Sequence, residues 1–174
     1  TLTDSSAASD VYKRQMKVLE LSDAPVVATH SSLRHFTPGW ERNVSDEMLI
    51  ALAENGGVIQ LCFGSDFVAN RKDNPDIQVS VKNVVDHIDR VRDLVGIDHV
   101  GFGSDFDGEV PLPEDINDVS KFPNLIEELL MRGYTESEID KILNGNILRV
   151  WKEVRALADA SVSYTHLRAH ETKK

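Results

Sequence analysis

Apolar positions along the chain recur with two alternating spacings, a short continuous run and then a helical stripe. Pro25 to Thr29 (PVVAT) is a short β-branched run that stops at His30-Ser31-Ser32, and it reads as a strand. After a polar loop through Pro38-Gly39-Trp40, Ser45 stands as an N-cap with Asp46 and Glu47 in the first helical turn, where the helix dipole favours acids. Leu49, Leu52 and Ala53 would face a sheet until Asn55-Gly56-Gly57 stops that helix. Val58 to Phe63 is a second strand, with Gly64-Ser65-Asp66 as its loop. Ser80 opens a longer helix with Val81, Val84, Val85, Ile88, Val91, Leu94 and Val95 at helical spacing, ended by Gly96. Ile97 to Phe102 is the third strand, and Pro111 to Asp118 is loop. Lys121 to Arg132 is helical with Leu125, Ile126, Leu129 and Leu130 inward and Gly133 as its stop. Thr135 and Glu138 form a capping box, and Asn146 caps a last helix striped by Ile147, Val150, Trp151, Val154, Leu157 and Ala158.

Strands alternating with helices give an α/β chain of parallel βαβ units joined by right-handed crossovers. An internal echo accompanies the repeat: Phe63-Gly-Ser-Asp-Phe67 recurs as Phe102-Gly-Ser-Asp-Phe106, one βα unit later.

The ends differ from the middle. Residues 1–15 are polar and rich in Ser and Ala without a period, and residues 161–174 are basic without a stripe, so both are expected to be non-native or disordered tails. His166 and His170 are therefore set apart from any site, and residues 16–160 carry the fold. The 174 residues hold 41% hydrophobic and 28% charged side chains, which suits one ordinary domain. A formal net charge of −10 argues against nucleic acid or an anionic membrane as the main partner. No run has the length of a transmembrane helix. The single cysteine, Cys62, lies in an apolar strand and reads as a buried core thiol, in keeping with a cytoplasmic setting.

Candidate chemistry collects where strands end. His99-Val-Gly-Phe-Gly-Ser-Asp-Phe-Asp-Gly108 runs from a buried strand into two carboxylates, Asp105 and Asp107, and a turn glycine. Acids at the carboxyl end of such a strand are where α/β folds place catalytic groups, although an Asx-rich turn has the same composition. A calcium loop is excluded because Asp-Phe-Asp-Gly lacks the third acid and the closing Glu, and a nucleophile elbow because Ser104 lacks its framing glycines. His30, Asp66 and Asp105 each follow a strand, so in a parallel barrel their loops open on one face. A neutral imidazole at a strand end suits a metal, and a loop histidine bonded to backbone or to Ser31 and Ser32 is the alternative for His30. Arg42, in the first long loop, has the planar fork that grips a carboxylate. His35 is a loop residue that nothing selects, His87 packs its ring at the boundary of its helix stripe, and His99 lies at the opposite end of its strand in a structural role.

Ala24-Pro-Val-Val-Ala-Thr-His-Ser-Ser32, Arg42-Asn-Val-Ser-Asp46, Gly96-Ile-Asp-His-Val-Gly-Phe-Gly-Ser-Asp-Phe-Asp-Gly108, Asp118-Val-Ser-Lys-Phe-Pro123 and Gly145-Asn-Ile-Leu-Arg-Val-Trp151 together resemble the membrane (renal-type) dipeptidase family, over about residues 16 to 158. The resemblance implies a TIM-type (β/α)8 barrel with two zinc ions that hydrolyses dipeptides, and makes the three strands here the sixth, seventh and eighth. It implies that His30 is a zinc ligand, that Arg42 binds the substrate carboxylate, and that Asp105 contacts substrate and transfers a proton. Asp66 and Asp107 receive no role from it. Cys62-Phe63-Gly64 stands where the family usually has Asn-Phe-Tyr, which puts substrate contacts from that loop in doubt.

The family's His-x-Asp pair, bridging glutamate, substrate-binding histidine and fifth-strand zinc histidine would all lie before Met16, and the sequence lacks them. The expected molecule is thus the C-terminal part of a zinc metallodipeptidase, inactive alone, built as an open parallel three-stranded sheet covered by helices. Its implied partners are a dipeptide substrate and, in the complete protein, a second copy of itself. The alternatives are a non-catalytic barrel segment that has lost the metal site, and a sugar- or phosphate-binding α/β domain using the acidic loops.

Overall fold

The computed structural model describes residues 4–108 and 110–171, with side chains described for residues 13–108 and 110–160. Three strands, β1 (Val27–Ser31), β2 (Val58–Cys62) and β3 (Val100–Ser104), form one parallel sheet in the order β1-β2-β3. The helices are α1 (Asp4–Leu21), α2 (Asp46–Glu54), α3 (Ser65–Val68), α4 (Val81–Val95), α5 (Phe122–Met131), α6 (Glu136–Asp140) and α7 (Asn146–Glu171). Of the two terminal tracts, residues 4–15 lie in α1 and residues 161–171 in α7; residues 1–3 and 172–174, and the side chains of residues 4–12 and 161–171, lie outside what is described.

Local signals place the helices. Ser45 caps α2 by accepting from the Met48 amide. Ser80 caps α4 in a reciprocal box with Asn83, and Thr135 caps α6 in one with Glu138. Gly96 and Gly133 follow α4 and α5 at φ 94° and 81°, values that suit a residue without Cβ.

One face of the sheet carries the core. Ile59, Leu61 and Val100 pack against Leu49 and Leu52 of α2, Val84, Val85, Ile88 and Val91 of α4, and Leu125 and Leu129 of α5, all buried. Val58, Gln60 and Cys62 alternate onto the other face, beside Gly101 and Gly103. The sheet curls towards this face: a Cβ on Gly103 would stand 2.4 Å from the Thr29 carbonyl oxygen, two strands away.

Strand limits differ from the hydrophobic runs. Ile97–His99 is a 3-10 turn, and β3 continues to Ser104 because Phe102 and Ser104 pair with Leu61 and Cys62. Asn55 takes the Val26 amide through its side chain (2.7 Å), so β1 begins after it and extends through His30. The Phe-Gly-Ser-Asp-Phe echo is not a structural repeat. Phe63 follows β2 and leads into helix α3, whereas Phe102 lies inside β3.

Asn146 is not a cap. A π-helical turn, Lys141–Gly145, joins α6 to α7, and Asn146 has helical dihedrals within that path. Its buried side-chain amide instead donates to the carbonyls of Ile97 (2.7 Å) and Val100 (2.8 Å). Asn146→Ala is expected to destabilise the chain by about 2 kcal/mol, because both carbonyls lose their donor at a closed site. A urea melt at neutral pH checks this. Arg149 adds a second clip, from Nη1 to the Gly56 carbonyl (2.8 Å) and from Nη2 to that of Asp98 (3.1 Å).

The helix stripes are only partly covered. Leu130 is exposed on α5, and on α7 Val150 is buried while Trp151, Val154 and Leu157 face out. His87 is not a boundary residue either. It is fully buried, with Nδ1 accepting from the Leu33 amide (3.0 Å) and Nε2 donating to the Val68 carbonyl (3.1 Å).

Candidate functional site

His30, Arg42, Cys62 and Asp105 converge where the three strands end. His30 lies in β1 where the register shifts between Ala28 and Ser31, and it is exposed. The loop that follows is closed by a bridge between Leu33 and Val44 and by the Ser31 hydroxyl, which donates to the Arg42 carbonyl (3.1 Å). Asn43, fully buried, ties that loop together. Its side chain accepts from the Ser32 amide and donates to the Thr37 hydroxyl (2.7 Å) and the Phe67 carbonyl (2.9 Å).

This framework sets the Arg42 guanidinium over the Phe67 ring, with Cζ 3.9 Å from its centroid. Trp40 meets the same ring edge-on at 5.2 Å. Nη2 of Arg42 donates to the His30 carbonyl (3.0 Å) and lies 3.5 Å from Nδ1 of His30. Nη1 is buried, without a hydrogen-bond partner among the described residues.

Asp105 reaches the site through an unusual backbone. Ser104 and Asp105 have φ of 51° and 68°, two consecutive left-handed residues that are not glycine. The Phe63 amide holds the Ser104 carbonyl (2.9 Å). Below, Phe63, Phe102, Phe106 and Phe122 pack with centroids 5.6–6.0 Å apart, which anchors the residue after Asp105. The turn brings Asp105 over Cys62, whose thiol donates to Oδ2 across 3.6 Å. Burial pushes the Cys62 thiol above its ordinary range, against the opposing pull of the Arg42 charge.

Of the remaining sequence candidates, Asp66 pairs with Arg71 (3.0 Å), and Asp107 is exposed. His35 lies edge-on to Phe36, away from this cluster, and the His99 ring bonds the Gly57 carbonyl (2.8 Å) below the sheet. Cys62, Asn43 and Phe67 are the members that sequence reasoning missed. For Cys62 a signal existed: it shares the strand period with Gln60, the one polar residue of β2, so it lies on the face opposite the core.

The donor set does not make a metal site by itself. Among the described residues no three His, Cys, Asp or Glu side chains gather to hold an ion. His30 stands beside the Arg42 cation, and a zinc site takes about three protein ligands. The arrangement does offer a guanidinium and a carboxylate on the loops after β1 and β3, on either side of the central strand. No helix among the described residues is long and apolar enough to cross a membrane.

A family profile described as membrane dipeptidase (peptidase family M19) matches residues 1–165. Dipeptidase ataJ of Aspergillus terreus is 43% identical over 157 residues, covering 90% of this chain and 37% of that protein. Human dipeptidase 3 is 36% identical over 160 residues, covering 92% and 31%. A solved metallo peptidase from Rhodobacter sphaeroides, liganded with a phosphinate mimic of the dipeptide L-Ala-D-Ala, superposes with a TM-score of 0.72 at 34% identity, over 80% of this chain and 39% of that one. The chain thus spans about a third of the length of the curated relatives it matches. It belongs to the membrane dipeptidase family, peptidase family M19.

Proposed function

We propose that this chain forms the last three βα units of a (β/α)8 barrel and supplies one side of the site of a zinc-dependent dipeptidase. The observation that carries this reading is the Arg42 guanidinium held over the Phe67 ring beside His30, with Asp105 turned in from the end of β3. The parallel order, the curl of the sheet and the gathering of polar side chains at the carboxyl ends of the strands support the barrel.

In this reading Arg42 binds the C-terminal carboxylate of a dipeptide at its exposed Nη2 edge, and the stacking on Phe67 leaves little freedom to lose on binding. Asp105 takes a proton from the attacking water at Oδ2 and passes it to the leaving amine as the peptide bond breaks. His30 is the residue of this chain that would hold zinc, and further ligands come from outside it. Among the described residues no three such donors gather, so His30 would hold zinc only together with those further ligands.

In the full-length enzyme, Arg42→Ala is expected to lower kcat/KM for free dipeptides about 30-fold, or about 2 kcal/mol, while the C-terminal amides change little. Equal losses on both substrates would remove the carboxylate role. A full-length protein that takes up no zinc and cleaves no dipeptide would instead favour the second reading, a non-catalytic segment that keeps the scaffold.

A further inference from the structure

Building on the roles given above to Arg42 and Asp105, we propose that Cys62 is a positioning residue. It acts as a neutral spacer that keeps the guanidinium and the carboxylate from pairing with each other. Cys62 ends β2, is fully buried and faces away from the core. Its thiol donates to Asp105 Oδ2 (3.6 Å), and Cys62 ends the central strand, between β1, whose His30 carbonyl holds Arg42, and β3, which leads into Asp105. Arg42 and Asp105 nevertheless form no ion pair among the described residues, and Nη1 of Arg42 stays buried without a partner.

Opposite charges around one small side chain in a partly closed site attract strongly, so something must hold them apart. Arg42 is fixed from three sides: by the Phe67 ring, by the His30 carbonyl and by Ser31 on its own backbone carbonyl. Asp105 is fixed by the two left-handed residues at the end of β3. The sulfur stands at the end of the central strand, between these two frames, as a small and weakly polar group. Burial keeps the thiol protonated, so it bridges the two charges without adding a third. A closed Arg42–Asp105 pair would leave no cation for a substrate carboxylate, and would make the carboxylate a poorer proton acceptor.

Two measurements on the 174-residue chain test this. Cys62 is its single cysteine, so iodoacetamide modification reports on that thiol alone. The pH midpoint of the reaction is expected to fall by about half a unit or more in Asp105→Asn and to rise by about as much in Arg42→Gln, because the thiol feels both charges. Crystal structures then read the spacing. In Cys62→Ala, Arg42 and Asp105 are expected to close into an ion pair, whereas Cys62→Ser, which retains a donor, is expected to keep them apart. Midpoints that ignore both charge changes would overturn the spacer role, as would an Arg42 and Asp105 that remain apart in Cys62→Ala. Should Cys62→Ala fail to fold, the two midpoints decide alone. Failure of the carboxylate role shows separately, as equal losses on dipeptides and their amides in Arg42→Ala, and leaves the thiol midpoints untouched.

Discussion

Gly103→Ala is expected to destabilise the chain by about 3 kcal/mol, at the top of the usual range for forcing an extra carbon into packed surroundings. The new Cβ would stand 2.4 Å from the Thr29 carbonyl oxygen and 2.9 Å from that of Gln60. Both are backbone atoms, so no rotamer change relieves the overlap. Strand β1 must move away from β3, which also separates His30 and Arg42 from Asp105. Gly39→Ala is the matching control. Gly39 has φ 84° with nothing within 4 Å of a built Cβ, so only a backbone penalty of about 1 kcal/mol is expected there. Urea melts of the two variants separate contact from conformation, and equal losses would show that the curl of the sheet is not held at Gly103.

Acid should weaken the fold through His87. Burial holds this imidazole down to about 4 from its ordinary 6.5. In the unfolded chain it takes up a proton near 6.5, so between pH 6.5 and about 4 the unfolded state holds more protons than the folded one. Stability therefore rises with pH across that window, is fully present above it, and is lost by about 3 kcal/mol by its lower end. The ring leaves no room for a second proton, because Nδ1 already accepts from the Leu33 amide. His87→Gln isolates the effect. The variant is expected to be less stable at neutral pH, but the difference from the parent should shrink steadily as pH falls through the window. Urea midpoints taken at neutral pH and at points within the window measure it, and a constant difference would assign the acid sensitivity to other groups. The consequence reaches the site, since His87 joins Leu33 on the Arg42 loop to Val68 beside Phe67.

Helix limits were legible in the sequence because their causes lie within one turn. Ser45, Ser80, Thr135 with Glu138, Gly96 and Gly133 act on amides and carbonyls three or four residues away, and each stands at the helix end it signals. The parallel sheet and the strand-end placement of His30 and Asp105 followed from the alternation of periods. Strand ends did not, because β3 continues on backbone pairing through Gly103 and Ser104 after its apolar residues stop.

Tertiary structure decided what depends on distant partners. Cys62 is apolar by composition, and becomes part of a charged cluster only because Arg42 and Asp105, remote in sequence, are folded around it. Asn146 has the side chain of a cap, yet its amide crosses to carbonyls about fifty residues earlier. The left-handed turn at Ser104 and Asp105 is sustained by the Phe63 amide and the phenylalanine cluster, which no local pattern displays. The stripe on α7 marks a face suited to burial, but periodicity is the same whether or not that face is covered. Val150 is buried and Trp151 is 64% exposed for a reason that lies outside the helix, in which surfaces the rest of the fold brings against it.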